Sequence, residues 1–339
     1  MARGRVSGVN RPAPRSRHRL TPAIFLALLG VPALLAPAIA TARPHLATQA
    51  STRVTDPVIA AAGDIACDPS NPYFNKGMGS NGWCLASKTG NLIAHLGPNA
   101  VLPLGDAQYN TGKLGQYNAS YALSWGGYLP ASHPVPGNHD YESSSSANGY
   151  FDYFGVHAAP PGASDRGFYS YQLGTWHLIS LNSNCSYVRC GPGSAQYEWL
   201  KNDLIANSSA CTLAYWHAPR FSSGPHGNYL SVGPFWNLLF HYGADVILNG
   251  HDHIYERFAP QNPSGNKAPM FGLREFVVGT GGAQHYWIDK VKAHSVVRNA
   301  KTFGILKMTL HPNSYGWSFL PVAGLSFHDA GTASCHGKP

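Results

Sequence analysis

The sequence predicts an α/β fold in which two mixed β-sheets pack face to face as a sandwich, with helices on the outside. Two patterns carry this expectation. In the first part of the chain short apolar runs alternate with segments of helical spacing, as crossovers between strands require. In the last part strand-like runs follow one another across short turns, which is the antiparallel pattern. The 339-residue length allows a sizeable core, and no internal repeat divides it.

Residues 1–40 are read as a leader and set apart from the fold. Residues 1–19 hold six arginines and no acid, Ala23 to Ala40 is almost wholly apolar, and Ala38-Ile39-Ala40 offers small residues for cleavage. That is the layout of a secretory signal peptide. Pro32, Pro37 and the Ala-rich end favour cleavage over a retained anchor, so the mature protein is expected to be secreted and free of the membrane. Residues 41–56 read as a flexible lead-in and 57–339 as one domain. The whole chain has 24 basic and 16 acidic residues; without the six leader arginines, 18 stand against 16, a net +2. A mature domain so nearly neutral gives no electrostatic footprint for nucleic acid.

The elements follow in order. Pro57 to Ala62 is an apolar run ending in Gly63, a buried strand. Leu85 to Leu96 has helical spacing, with Leu92, Ile93 and Leu96 on one face. Ala100 to Leu104 is the next strand, and Tyr117 to Trp125 reads as a helix. Ser132 to Pro136 is extended, its prolines weakening any strand. Gly167 to Leu173 and Thr175 to Leu181 form a hairpin about Gly174. Ala195 to Ile205 and Pro234 to Tyr242 are helices, while Thr212 to Trp216, Ala244 to Leu248 and Glu275 to Val278 are strands. Phe303 to Leu310 and Tyr315 to Val322 pair around Pro312-Asn313.

Six cysteines, all beyond the leader, suggest disulfides in an exported protein. Cys185 and Cys190 bracket a short loop and are expected to pair. Cys67–Cys84 and Cys211–Cys335 complete one of several possible connectivities. A zinc–cysteine site is disfavoured because no closely spaced pair recurs.

Five polar blocks sit after apolar runs: Gly63-Asp64-Ile65-Ala66, Gly105-Asp106-Ala107-Gln108-Tyr109, Gly137-Asn138-His139-Asp140, His217-Ala218-Pro219-Arg220 and Gly250-His251-Asp252-His253. Ligands of α/β sheets gather beyond the carboxyl ends of strands, and Gly lets the backbone turn sharply there. Alternate residues of an extended segment share a face, so His251 and His253 can point together. Asp, Tyr, Asn and His are donors suited to iron, zinc and manganese. Each block alone could be an ordinary turn; five in succession point to a pocket for two metal ions.

The ordered set resembles the calcineurin-like metallophosphoesterases, and more narrowly the purple acid phosphatases, over about residues 58–325. Gly250 to Arg257 and the glycine-rich Gly279 to Gly282 extend the likeness. The resemblance implies the α/β/β/α sandwich of that family, with Asp64, Tyr109 and His253 on one ion, Asn138, His217 and His251 on the other, and Asp106 bridging. It departs from the broad family at Ala66, where a His ligand is usual, and from the subfamily, which has Gly there. Tyr109 supplies the compensating donor. A phenolate favours a trivalent ion, so Fe(III) is expected beside it and Zn, Mn or Fe(II) opposite.

His139, next to Asn138, and His226, nine residues after His217, are the candidate non-ligand catalysts. One would hydrogen-bond the phosphate and the other protonate the leaving alkoxide, although Gly224-Pro225-His226-Gly227 also reads as an exposed turn. Asp140 and Asp252 read as carboxylates that orient the histidine ligands. Other histidines, among them His95, His241 and His285, receive no role. The function implied is a secreted dinuclear phosphatase that cleaves phosphate monoesters by attack of a metal-bound hydroxide, on a small phosphorylated substrate. Phosphodiesterase or nucleotidase activity at the same site, or a secreted metal-binding protein without turnover, are the alternatives. Oligomeric state leaves no trace in the sequence.

Overall fold

The computed structural model describes residues 56–339. The leader and nearly all of the lead-in read from the sequence lie outside them. Along the chain come β1 (Val58–Ala62), α1 (Ala86–Leu96), β2 (Ala100–Pro103), α2 (Leu114–Ala119), α3 (Asn148–Phe154), β3 (Tyr169–Leu173) and β4 (Trp176–Ser180). They are followed by α4 (Ala195–Ala206), β5 (Cys211–Tyr215), α5 (Gly233–His241), β6 (Val246–Asn249), β7 (Tyr255–Phe258) and β8 (Arg274–Val278). The chain closes with β9 (Ser295–Asn299), β10 (Gly304–His311), β11 (Ser314–Pro321) and β12 (Ala330–Ser334).

Local chemistry explains the helix ends. Gly97, at φ 56°, turns the chain out of α1 in the left-handed region where Gly carries no Cβ penalty. Ser194 caps α4 by accepting the Tyr197 N–H. Pro234 sits in the first turn of α5, where its missing N–H costs nothing.

Two mixed sheets result, as the alternation predicts. One has the order β12-β11-β10-β1-β2 and the other β3-β4-β5-β6-β8-β7-β9. Both mix directions: β1 runs parallel to β2 and antiparallel to β10, while β4, β5, β6 and β8 are parallel and β3 and β7 are not. Side chains alternate across the second sheet. Leu213, Tyr215, Val246 and Leu248 join the core shared with Ile59, Leu306 and Met308 of the first sheet. Ala214, Trp216 and Ile247 face the other way, onto Leu200 and Leu204 of α4 and Phe235 and Trp236 of α5. This period of two places one core between the sheets and another under the helices.

Two expectations are corrected, for residues 117–125 and for the carboxylates Asp140 and Asp252, while Ser132 to Pro136 behaves as expected. The helix expected over 117–125 is instead α2 followed by a separate single turn at Tyr121–Leu123. Ser120 breaks it: its hydroxyl donates back to the Gln116 carbonyl at 2.8 Å and its backbone leaves helical space. Ser132 to Pro136 makes isolated bridges from Ser132 to Val101 and from Val135 to Leu104, because Pro134 and Pro136 have no N–H to continue a ladder. The carboxylates Asp140 and Asp252 hold neighbours other than the imidazoles of His217, His251 and His253, as described below.

Cys185–Cys190 forms as expected, and the connectivity left open by the sequence is Cys67–Cys84 with Cys211–Cys335. No described helix is long and apolar enough to cross a membrane.

Candidate metal centre

Strand ends deliver the polar blocks to one place. Asp64 lies just past β1 and Asp106 just past its parallel neighbour β2; His217 lies just past β5 and His251 just past its parallel neighbour β6. The chain turns so abruptly there that Asp64, Asp106 and His251 take φ values of 61°, 46° and 72°. Non-glycine residues enter this left-handed region at a cost, and such strain gathers at functional sites. Glycines clear the space. A Cβ on Gly250 would come within 2.7 Å of Asp64 Oδ2, and one on Gly105 would press into the His217 ring.

The donors fall into two groups around one atom. Tyr109 Oη lies 2.7 Å from Asp64 Oδ1, 2.8 Å from His253 Nε2 and 3.0 Å from Asp106 Oδ2. On the other side, His217 Nε2 lies 3.2 Å from Asp106 Oδ2, 3.2 Å from Asn138 Oδ1 and 3.2 Å from His251 Nδ1. Asp106 Oδ2 therefore belongs to both groups. All seven residues named from the sequence come together here, and Asp64, Asp106, His217 and His253 are almost completely buried.

Backbone carbonyls, rather than Asp140 or Asp252, set the imidazoles of His217 and His253. His217 Nδ1 donates to the Leu104 carbonyl at 2.8 Å, and His253 Nδ1 donates to that of Gln284. Each bond turns the Nε2 of its ring toward the centre. Asp140 instead accepts from the Gly137 N–H at 2.7 Å and from the Tyr117 hydroxyl, and burial pushes its pKa up to about 7. Asp252 accepts from Ser222 and from both the backbone N–H and Nδ1 of His226.

The donor set fits cations. With Nδ1 of His253 committed to a carbonyl, three acceptor atoms face the single proton of Tyr109. One proton satisfies one of them, whereas a cation among the four atoms satisfies all. Burial works against ionisation of Asp64 and Asp106, but the His253 imidazole beside the first and the His217 imidazole beside the second outweigh it, and both carboxyls stay below the usual range. Burial would lower the His217 pKa, yet Asp106 raises it to about 9. Burial, with His217 and His226 nearby, lowers His251 to about 3. Burial, reinforced by Asp106 and Asp64, pushes the Tyr109 phenol well above its ordinary value.

His139 and His226, the candidate catalysts, both border the centre. The backbone N–H of His139 donates to Asp106 Oδ1 at 2.9 Å, and its Nδ1 donates to the Asn110 carbonyl at 2.6 Å, which leaves Nε2 free. The His226 ring stands 4.3 Å from that of His251, and its hydrogen bond to Asp252 raises its pKa. The loop containing Gly224-Pro225-His226-Gly227 is thus tied down by Asp252 at the rim of the centre.

A family model for calcineurin-like phosphoesterases matches residues 58–255. The chain belongs to that family. Purple acid phosphatase 15 of Arabidopsis thaliana is 29% identical over 210 residues, covering 51% of this chain and 39% of the plant protein. Purple acid phosphatase 23 of the same plant is 31% identical over 149 residues, covering 40% and 32%. The matched stretches thus span well under half the length of these relatives. The fold resembles that of a purple acid phosphatase from yellow lupin seeds with a TM-score of 0.65 at 17% identity, over 83% of this chain and 54% of that one. Within this calcineurin-like, purple acid phosphatase-like frame, the sandwich is the family fold.

Some neighbours of the centre are invisible to motif reading. The Tyr286 ring stacks on His253 at 3.9 Å. The loop after β8 donates the Gly281 and Ala283 N–H groups to the carbonyls of Gly63 and Asp64, which explains the glycine run in structural terms: a Cβ on Gly281 would collide with the Gly63 carbonyl.

Proposed function

We propose that this protein is a secreted, dinuclear metal-dependent phosphatase that hydrolyses phosphate monoesters. The observation supporting this is the pair of donor groups that share Asp106 Oδ2. In this reading Asp64, Tyr109 and His253 hold Fe(III), Asn138, His217 and His251 hold a divalent ion (Zn, Mn or Fe), and Asp106 holds both. The hard phenolate oxygen favours the trivalent ion. When bound, the two ions supply positive charge for the phosphoryl oxygens and acidity for an attacking water.

The remaining work falls to side chains. His139 Nε2 is free to hydrogen-bond a phosphoryl oxygen, with Nδ1 anchored on the Asn110 carbonyl. Asp252 holds the Nδ1–H of His226 and raises its pKa, which favours the imidazolium; that form carries a second proton on Nε2 to give to the departing alkoxide. All six cysteines are in disulfides, so no thiol offers itself as a nucleophile, and in this reading water attacks phosphorus directly. Three disulfides also accord with an oxidising compartment, as does the signal-like leader.

Metal analysis with the visible spectrum, joined to hydrolysis of p-nitrophenyl mono- and diesters, tests the reading. Expected are about two metal ions per chain, a tyrosinate-to-iron band, and faster cleavage of the monoester. A colourless, iron-free active enzyme overturns the iron assignment, and preference for the diester overturns the substrate assignment. Full activity in a folded Asp106→Asn variant overturns the mechanism.

A further inference from the structure

We propose that a cavity beside the donor cluster binds an aromatic ring carried by the leaving group, so that the preferred substrates are monophosphates of aryl alcohols or nucleosides. The proposal rests on the phosphatase reading and names the substrate class for it.

The cavity has a volume of about 330 Å³ and opens onto Tyr109, His139 and His253. That volume suits a phosphate with one ring system attached. One part of its lining is the loop closed by the Cys67–Cys84 disulfide, which carries Tyr73 and Trp83. Their rings lie 6.2 Å apart with planes 24° from parallel, and each residue is 38% exposed. Large aromatic surface is left uncovered by the protein itself, at the mouth of the centre.

The wall is held in place. Phe74 packs with the two cysteines into a buried cluster of their own. Ser80 and Trp83 exchange backbone hydrogen bonds, and the Tyr73 N–H donates to Asn71 Oδ1. From another part of the chain Tyr286, stacked on His253, also lines the cavity. A rigid aromatic lining that continues to the metal donors favours a flat, apolar ring over a small polyol, because stacking needs a π-face and little ordering.

Charge narrows the class. No Lys or Arg lines the cavity, and its acidic lining residue is Asp68. Burial opposes ionisation of Asp68, but hydrogen bonds from Ser70, Asn110 and Gln116 outweigh it and keep its carboxyl below the usual range. A substrate with further phosphates would meet that carboxylate without a compensating cation. Inositol polyphosphates and nucleoside triphosphates are therefore poor fits, and monophosphates with a neutral ring are good ones.

The test compares variants on matched substrates, so that differences in leaving-group reactivity cancel. For wild type, Trp83→Ala, Trp83→Phe and Tyr73→Ala, kcat/KM is measured on phenyl phosphate, adenosine 5′-monophosphate and glycerol 2-phosphate. The preference of wild type for the two aromatic esters over glycerol 2-phosphate should shrink about tenfold in Trp83→Ala, through KM, and recover in Trp83→Phe. A larger loss on phenyl phosphate marks an aryl site, and a larger loss on the nucleotide marks a nucleoside site. Unchanged preference in both alanine variants overturns the proposal. A second readout needs no turnover: adenosine should quench part of the tryptophan emission of wild type, and that part should be missing in Trp83→Phe. If wild type hydrolyses none of the esters, the phosphatase reading fails, and quenching at Trp83 still decides for or against the cavity.

Discussion

The phenolic oxygen of Tyr109 stands 2.7 Å from Oδ1 of Asp64, a contact between residues 45 positions apart. Neither is more than 7% exposed. Asp64 reaches this point by leaving β1 with φ at 61°, and Tyr109 by following Asp106 out of β2. The pair defines one half of the centre, because His253 Nε2 closes on the same phenolic oxygen at 2.8 Å.

Tyr109→Phe removes that oxygen and keeps the ring, which packs 4.5 Å from His139. The fold should survive, since the Phe ring fills the same volume. With Tyr109 holding a metal as proposed, its loss should cost at least the ~100-fold in metal affinity or activity that removal of a residue supporting a ligand can cost. The visible band should vanish with it. A variant that keeps both its colour and its iron content would remove Tyr109 from the ligand set.

Gly250→Ala tests the geometry without touching a donor. The added Cβ would come within 2.7 Å of Asp64 Oδ2 and 2.9 Å of the Leu104 carbonyl, the carbonyl that anchors His217. Contacts this close force a shift in backbone or carboxylate. Metal content and activity should fall together, by about tenfold or more, while the disulfides and circular dichroism stay those of wild type. Unchanged metal content would mean that the turn after β6 gives way at no cost to the centre.

His226 can be examined through its leaving groups. If it protonates the departing oxygen, His226→Ala should slow alkyl phosphates by about 100-fold or more, and p-nitrophenyl phosphate, whose leaving group needs no proton, far less. Asp252→Asn, which weakens the hydrogen bond to His226 Nδ1, should show the same pattern in milder form, as a positioning residue does. Equal losses on both esters would assign the two residues to binding or folding.

Much of this was legible in the sequence because the chemistry is local there. Asp64, Asp106, Asn138 and His251 announce themselves through the Gly that precedes each and the apolar run before it, since a strand end that turns sharply favours both. Cys185 and Cys190 are five residues apart, so their pairing follows from proximity. Other features depend on contacts that no local pattern encodes. β9 and β12 are edge strands whose residues alternate between half-buried and exposed, so they lack the apolar signal. β7 follows His253 so closely that motif and strand merge. The expected roles of Asp140 and Asp252 failed because adjacency to a ligand does not fix which way a carboxylate points; each turns to a loop amide instead. Asn184 stands in a glycosylation sequon by sequence, yet it is buried and its amide donates to Asn182 Oδ1 at 2.9 Å, which leaves no room for a sugar. The aromatic wall of Tyr73 and Trp83 is assembled by a disulfide and would pass for an ordinary loop.

Stability should carry a pH signature from His133, which lies away from the donor cluster. Its ring stacks on Tyr171 at 4.0 Å with planes 14° apart. Burial, with His157 as a second contributor, lowers its pKa to about 4 from an ordinary 6.5. Between those values the unfolded chain binds a proton that the native imidazole does not. The native state is therefore favoured fully above pH 6.5, and this contribution is lost as pH falls toward 4. His133→Phe keeps the stack and cannot bind the proton. From pH 7 to pH 5 wild type should lose about 2 kcal/mol more stability than the variant, seen as a further drop of roughly 4 °C in melting temperature. Parallel melting curves would show that the imidazolium is accommodated against Tyr171, and that acid sensitivity arises elsewhere in the fold.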